Sequence, residues 1–123
     1  MVSIEYELAF KGVTNMTSSD KAGLKYDGDK LKYHLVPPEA IGALAAVLTF
    51  GANKYTESGW RTVPNAKPRY FSAAMRHLWS WWNPLEPDFD EESGYSHLWH
   101  ALTNIAFLTT IEQQEEIENV RGT

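Results

Sequence analysis

Three of the four histidines and the densest cluster of carboxylates lie in one segment, between His77 and His100. Histidine titrates near neutral pH and is the commonest metal ligand, whereas carboxylates bind hard divalent cations. The acidic residues of this segment come before its last two histidines and are Glu86, Asp88, Asp90, Glu91 and Glu92. The combination predicts a polar site that either binds a divalent ion or places a general base beside a phosphate.

Two predicted helices would position these side chains. One covers residues from about 69 to 82 and carries His77, and the other covers about 94 to 119 with Ser93 as its N-cap. Three polar residues recur at i, i+3 and i+7 on one face of the second helix, namely His97, His100 and Asn104. If the helices pack antiparallel, as the connection between them indicates, His77 and His97 reach the same end of the pair, beside the acidic loop.

Simpler interpretations exist for each residue alone. A single histidine on a half-apolar helix face is more often a packing residue than a ligand. Acids that precede a helix are favoured by the helix dipole whatever their function. Three histidines clustered with several acids are harder to explain in this way, so the pattern favours a functional site.

The rest of the chain predicts a mainly α fold. Pro37-Pro38 favours the start of a helix whose apolar stripe would be buried and consists of Ile41, Leu44, Ala45 and Leu48. Residues 1–36 indicate an extended or irregular segment, in which residues 2–10 alternate as in a strand and Asp27-Gly28 could close a β-hairpin. We expect a single domain over residues 1–123, with a three-helix core over 37–119 carrying the N-terminal extended segment or hairpin.

Composition narrows the function classes. The formal net charge is -5, so a surface for a nucleic-acid polymer is not expected, while a free nucleotide accompanied by a metal ion remains possible. Cysteine is absent, which excludes disulfides and thiolate sites. No membrane span or signal peptide is indicated, and we expect a cytoplasmic protein. Aromatic residues make up 13% of the chain, and in a three-helix fold this predicts a homo-oligomer that covers apolar surface.

Cationic and aromatic residues outside the histidine segment are candidates for binding a nucleotide. Phosphate contacts are predicted for Lys25, Lys30, Lys54, Arg61 and Arg76. A base or sugar could stack on Tyr55 or Trp60, although aromatic residues are commonly part of a core or an interface. For any single cation, a solvated surface charge is the simpler interpretation.

An ordered set of motifs resembles a known family. The motifs are Gly23-Leu-Lys-Tyr-Asp27, Leu35-Val-Pro-Pro-Glu-Ala40, Phe50-Gly-Ala-Asn-Lys-Tyr55, Trp60, Arg76-His-Leu78, Asp90-Glu-Glu-Ser-Gly94 and His97-Leu-Trp-His-Ala-Leu-Thr-Asn104. Over about residues 22–110 the chain resembles the phage-borne dATP/dGTP diphosphohydrolases. The resemblance implies hydrolysis of a purine deoxynucleoside triphosphate to monophosphate and pyrophosphate with a divalent metal, as phages use to remodel the nucleotide pool. It is more distantly similar to the all-α MazG-like pyrophosphohydrolases, which carry metal-binding acids as Glu-x-x-Glu on one helix and Glu-x-x-Asp on the next. Such a pair is missing from the first of the two predicted helices and from the first turns of the second, and Glu112-Gln-Gln-Glu115 lies in the polar end of the second helix, where it is interpreted as solvated.

The leading hypothesis is therefore a metal-dependent hydrolase of dGTP or dATP. Mg²⁺ or Mn²⁺ would be held by Glu39, Asp90 and Glu92, and the catalytic base would come from His77, His97 or His100. Nucleotide contacts would be made by Lys25, Lys30, Lys54, Tyr55, Trp60, Arg61, Arg76 and Asn104. The alternative is a non-catalytic protein that sequesters a host nucleotide signal and so blunts a defence system. A purely structural protein, the third hypothesis, would show no nucleotide effect on thermal stability.

Overall fold

The structure is a computed structural model that describes residues 23–122, and over these residues it is mainly helical. Helix α1 spans Pro38–Lys54, α2 spans Ala66–Trp82 and α3 spans His97–Arg121, with short 3₁₀ turns at Tyr33–Leu35 and Gly59–Thr62. The predicted mainly α fold with three helices is confirmed. The described residues divide into two compact units, with the boundary between Gly42 and Ala43.

The first unit contains the turn that the sequence predicts at Asp27-Gly28. The Lys30 N–H donates to the Asp27 carbonyl at 3.1 Å, which closes the turn. Residues 23–36 form no strand on either side of it, so the hairpin alternative is not realised in this part of the chain. The predicted strand over residues 2–10 lies outside the described residues.

Helix α1 turns a different face inward from the one predicted. Ala43 and Val47 are its buried residues, whereas Ile41 is 57% exposed and Ala45 is also exposed. Leu44 and Leu48 are partly buried, so the inward face is shifted around the helix by about one residue relative to the prediction. The helix also continues past Gly51, because a glycine inside a helix costs only about 1 kcal/mol.

Helices α2 and α3 make the principal helix–helix contact of the second unit, and they run antiparallel. Lys67, near the start of α2, forms an ion pair with Glu115, near the end of α3, at 2.7 Å. The residues that close this contact are small, Ala74 on α2 and Ala101 on α3, and both are buried. Over the described residues no large side chain is fully buried, so the core of the isolated chain is thin.

Helix α3 begins three residues later than predicted. Its N-cap is Ser96, whose Oγ accepts the Leu98 N–H at 3.1 Å, and not Ser93. Gly94 interrupts the helix pattern because its φ of 78° is left-handed. Three apolar residues at helical spacing on α3 stay partly exposed, because Leu98, Leu102 and Ile105 are 36–46% exposed.

Nowhere in residues 23–122 is a helix both long enough and apolar enough to cross a membrane.

Candidate active site

Three imidazoles come together where the end of α2 meets the start of α3. The Nδ1 atoms of His77 and His97 lie 2.9 Å apart, and which nitrogen donates depends on the tautomers. The rings of His77 and His100 are stacked, with centroids 4.7 Å apart and planes inclined by 15°. All three residues are half-buried. The convergence expected from the helical spacing is therefore present, while the catalytic roles of these residues stay a prediction.

A tight loop brings Asp90 to this cluster. A bridge joins Phe89 to Ser96, and inside it the Asp90 N–H donates to the Tyr95 carbonyl at 2.7 Å. The Gly94 N–H returns to the Asp90 carbonyl at 2.7 Å. The loop therefore fixes the Asp90 backbone from both sides, and its carboxylate Oδ2 lies 3.9 Å from Nε2 of His100.

Ser93 is a site residue whose contacts the sequence did not reveal. Its N–H donates to Oδ2 of Asp90 at 2.9 Å, and its Oγ lies 2.7 Å from Nε2 of His100. The Tyr95 N–H also donates to this hydroxyl, at 3.1 Å. Ser93 thus orients both an acid and an imidazole instead of capping a helix. The available sequence signal was an Asp followed by a Ser three residues later, the spacing of a local side chain-to-backbone turn.

The protonation states of the cluster follow from its partial burial. Burial, followed by the charges of His100 and His97, lowers the pKa of His77 to about 4. Burial also lowers the pKa of His100, although Asp90 opposes this. Burial raises the pKa of Asp90, but hydrogen bonds from Ser93 and the nearby imidazoles outweigh it and leave that pKa below its ordinary value. At neutral pH, His77 and His100 are therefore neutral and Asp90 is ionised.

One group of side chains is arranged so that it could hold a metal ion. His77, Asp90 and His97 each offer one ligand atom, and these three atoms lie within 4.8 Å of one another. Glu92, a predicted metal ligand, instead pairs with Lys54, and its side chain is 58% exposed. Glu39, also a predicted metal ligand, belongs to the first unit.

His77, His100 and Asp90 line one part of an open cleft of about 1420 Å³ in the second unit, whereas His97 is not among its lining residues. The cleft lies among the second half of α1, the connection after it, α2 and α3. Five of the predicted nucleotide-binding residues line this cleft, namely Lys54, Tyr55, Trp60, Arg76 and Asn104. Arg61 does not line it, and Lys25 and Lys30 belong to the first unit. Arg69, Tyr70 and Phe107 line the cleft but were not predicted as binding residues.

An aromatic wall forms another part of the cleft. Trp60 stacks on Phe107 with centroids 4.4 Å apart, and Tyr70 packs on Phe107 at 4.9 Å. The Tyr70 hydroxyl donates to the Trp60 carbonyl at 2.7 Å, which ties the connection to α2. Arg61 stands 4.4 Å over the Trp60 ring. Phe107 and Arg61 both lie 4.4 Å from the Trp60 ring, so they occupy opposite faces of it. A base that stacks on Trp60 opposite Phe107 therefore has to displace the exposed Arg61.

Polar residues join the two parts of the cleft. Asn104 Nδ2 donates to the His100 carbonyl at 2.8 Å, which leaves the amide oxygen available to a ligand. The Glu92 carboxylate raises the pKa of Lys54, so this lysine is charged at neutral pH. Together with Arg76, Lys54 supplies positive charge close to the imidazoles, as an anionic ligand requires.

Comparison with known proteins assigns the chain to a family. Residues 20–121 match a family model described as dATP/dGTP diphosphohydrolase, N-terminal. A curated protein of Salmonella phage PMBT28, named dATP/dGTP diphosphohydrolase, is 31% identical over 88 residues. The match covers 70% of this chain but only 28% of the phage protein, so the chain spans less than a third of that relative. The search of solved structures gave no match.

Proposed function

Because this chain belongs to the dATP/dGTP diphosphohydrolase N-terminal family, we propose that it hydrolyses dGTP or dATP to the monophosphate and pyrophosphate with the help of a divalent metal. The observation that carries the proposal is the group of His77, Asp90 and His97, of which His77 and Asp90 line a cleft that also holds cations and an aromatic wall. A nucleoside triphosphate needs all three features, since its phosphates are anionic, its base is planar and its hydrolysis uses metal charge.

We assign the metal to His77, Asp90 and His97, whose ligand atoms converge. A divalent ion held there would neutralise charge on the phosphate oxygens and lower the pKa of a bound water. The fit is supported by the neutral imidazole of His77 and the ionised carboxylate of Asp90, the forms in which both side chains donate a lone pair.

His100 is then the general base. Its lowered pKa keeps the imidazole neutral at pH 7, and a general base must accept a proton at working pH. Ser93 holds its Nε2 at 2.7 Å, and Asp90 lies 3.9 Å away, close enough to stabilise the imidazolium that forms. Proton transfer from an attacking water would replace the Ser93 contact at that nitrogen.

Lys54 and Arg76 are proposed to hold the phosphates. Lys54 is bound by Glu92 in the absence of a nucleotide, and a phosphate oxygen would take over part of this contact. The aromatic wall of Trp60, Tyr70 and Phe107 would bound the base. Asn104, with its free amide oxygen, would accept a hydrogen bond from an exocyclic amine, which both adenine and guanine carry.

We further propose that the protein acts as a homo-oligomer in the cytoplasm of an infected cell, where it would alter the purine deoxynucleotide pool. The support for self-association is the thin core: the buried apolar residues among residues 23–122 are Ala43, Val47, Ala74 and Ala101. A chain that buries so few large side chains gains little hydrophobic free energy when it folds as a monomer. A second copy would supply the missing apolar contacts.

The test is incubation of the purified chain with each of the four dNTPs, ATP and GTP, with Mg²⁺ or Mn²⁺ present, followed by anion-exchange separation of the products. We expect dGTP or dATP to give monophosphate and pyrophosphate, and chelation of the metal to stop the reaction. Asp90→Asn and His100→Gln should each lower the rate by about 10²-fold or more, as for the loss of a metal ligand or a general base.

Glu112→Gln is the matched control, because Glu112 lies on the exposed second half of α3, and it should leave the rate unchanged. Recovery of every nucleotide intact would contradict hydrolysis. If the protein nevertheless bound one equivalent of a nucleotide, sequestration of a nucleotide signal would replace catalysis as the explanation of the cleft.

A further inference from the structure

We propose that the metal site is selective for a six-coordinate first-row transition ion, such as Mn²⁺, Fe²⁺, Co²⁺ or Ni²⁺, over Mg²⁺. His77 and His97 would each bind through Nδ1 and Asp90 through one carboxylate oxygen, all on one side of the ion. This inference rests on the metal assignment of the proposed function and adds the class of ion, and it is tested without any nucleotide.

The donor atoms are the first reason. Two imidazole nitrogens and one carboxylate oxygen form the group. Mg²⁺ prefers oxygen ligands and keeps most of its water, whereas imidazole favours borderline transition ions in the order Mn²⁺ < Fe²⁺ < Co²⁺ < Ni²⁺. A site with twice as many nitrogens as oxygens therefore discriminates against Mg²⁺.

The distance between the two nitrogens is the second reason. Two ligands at about 2.1 Å from an ion are about 3.0 Å apart when they subtend 90°, and about 3.4 Å apart at the tetrahedral angle. The Nδ1 atoms of His77 and His97 lie 2.9 Å apart. This separation fits adjacent positions of an octahedron, whereas a tetrahedral zinc site would require the two nitrogens to move about 0.5 Å apart.

The number of available ligands is the third reason. His100 does not join the group, because its Nε2 is in contact with Ser93 Oγ at 2.7 Å. Glu92 is held by Lys54. Three protein ligands on one side of a six-coordinate ion leave three positions, enough for two phosphate oxygens and a water. The Ser93 N–H, which binds Asp90 Oδ2 at 2.9 Å, fixes the carboxylate while leaving its other oxygen to the ion.

Co²⁺ added alone to the metal-free full chain tests this inference, because its visible absorption reports both binding and geometry. We expect one equivalent to bind with the weak bands of a six-coordinate ion. Ni²⁺ should displace Co²⁺ and an excess of Mn²⁺ should do so as well, while a hundredfold excess of Mg²⁺ should not. His97→Gln on α3 and His77→Gln on α2 should each weaken Co²⁺ binding at least tenfold, and two variants on different helices guard against a fold defect in one of them.

His34→Gln is the matched control, since His34 lies outside the group, and it should bind Co²⁺ as the unaltered chain does. Intense tetrahedral bands, displacement by Mg²⁺, or equal binding by all three variants would overturn the inference. Equal binding by all three variants would indicate that the two Nδ1 atoms form a hydrogen bond and not a metal site.

The outcome separates this inference from the proposed hydrolysis. Selective Co²⁺ binding without turnover of any nucleotide would leave the metal site standing and refute the hydrolase. Turnover supported by Mg²⁺ in His97→Gln would leave the hydrolase standing and refute the site.

Discussion

The imidazole of His77 lies against those of His97 and His100, and this environment favours its neutral form. Partial burial removes water that would stabilise the charged ring, and a second positive charge nearby would repel it. A pKa of about 4 in the folded chain contrasts with about 6.5 for an unhindered histidine. The neutral ring suits a metal ligand, but it also makes stability depend on pH.

The sign of that dependence follows from proton binding. Between pH 6.5 and pH 4 the unfolded chain holds a proton on His77 that the folded chain lacks, so acid favours unfolding in this window. Above pH 6.5 neither state is protonated there, and the effect vanishes. We expect the metal-free chain to lose about 1–2 kcal/mol of unfolding free energy between pH 7 and pH 5, after allowing for solvent screening of a half-buried group.

Urea unfolding at the two pH values measures this loss. His77→Gln should reduce it, because the amide does not titrate, while His34→Gln should retain it. Equal losses in His77→Gln and the unaltered chain would show that His77 does not cause the dependence.

For the individual site residues, the sequence predicted that the three histidines and Asp90 lie close together, but it did not predict that Glu92 pairs with Lys54. Helical spacing and an antiparallel pair suffice to bring His77 and His97 together, since both are local properties. The contact of Glu92 with Lys54 joins residues far apart in the chain, and no local pattern indicates it. The fixed orientation of Trp60 between Phe107 and Arg61 was missed for the same reason.

Among the elements, the loop from Asp88 to His97 determines where Asp90 points. Its ends are joined by the His97 N–H, which donates to the Asp88 carbonyl at 2.7 Å. Gly94 allows the chain to turn back inside it with a φ of 78°. A residue with a Cβ is less stable by about 1–2 kcal/mol in this left-handed backbone conformation. A Cβ at position 94 would contact no other atom, so a substitution there would strain the backbone without causing a clash.

Gly94→Ala should therefore lower the unfolding free energy by about 1–2 kcal/mol. Gly42→Ala is the opposite control, because Gly42 is exposed in helix α1 with open space around it and an ordinary φ. That change should raise stability by up to about 1 kcal/mol. Chemical denaturation of both variants compares the two signs, and a neutral or stabilising Gly94→Ala would show that the loop is not held in the left-handed conformation.

The three helices were predictable, but their ends were not. Helix α2 begins at Ala66, before Pro68, because a proline in the first turn removes an N–H that has no partner within the helix. Helix α3 begins only at His97, because the loop bonds of Asp90 and the cap of Ser96 compete with an earlier start. Periodicity finds the body of a helix, whereas side-chain contacts select its first residue.

For the whole molecule, the α2–α3 pair has two unlike faces. His77, His100 and Asn104 lie on one face, toward the cleft. Exposed apolar residues recur on α2 at Phe71, Met75 and Trp82, and on α3 at Leu98, Leu102 and Ile105. Because the antiparallel helices pack through Ala74 and Ala101, these two stripes lie on the same side of the pair, opposite the histidines. We call this side the apolar face.

The apolar face explains why core prediction succeeded less well than site prediction. The sequence pattern correctly identified apolar stripes, but a stripe indicates burial without saying which partner buries it. Leu98, Leu102 and Ile105 recur at helical spacing, and the isolated chain leaves them 36–46% exposed. A second copy is the occupant we propose for this face, since apolar, self-complementary surfaces are typical of stable homodimers.

Leu102→Glu places a charge in the middle of the apolar face and should convert a dimer to a monomer of 14.0 kDa. Burying an uncompensated carboxylate costs several kcal/mol, more than one leucine contributes to an interface. Ile117→Glu is the matched control, because Ile117 is 51% exposed on the same helix but lies outside the stripe. Light scattering after size exclusion should give twice the chain mass for the unaltered protein and for Ile117→Glu, and the chain mass for Leu102→Glu.

Because folding and association are then linked, the thermal midpoint of the unaltered protein should rise with concentration while that of Leu102→Glu stays constant. A monomeric unaltered protein with a concentration-independent midpoint would mean that the apolar face is not an interface between copies of this chain.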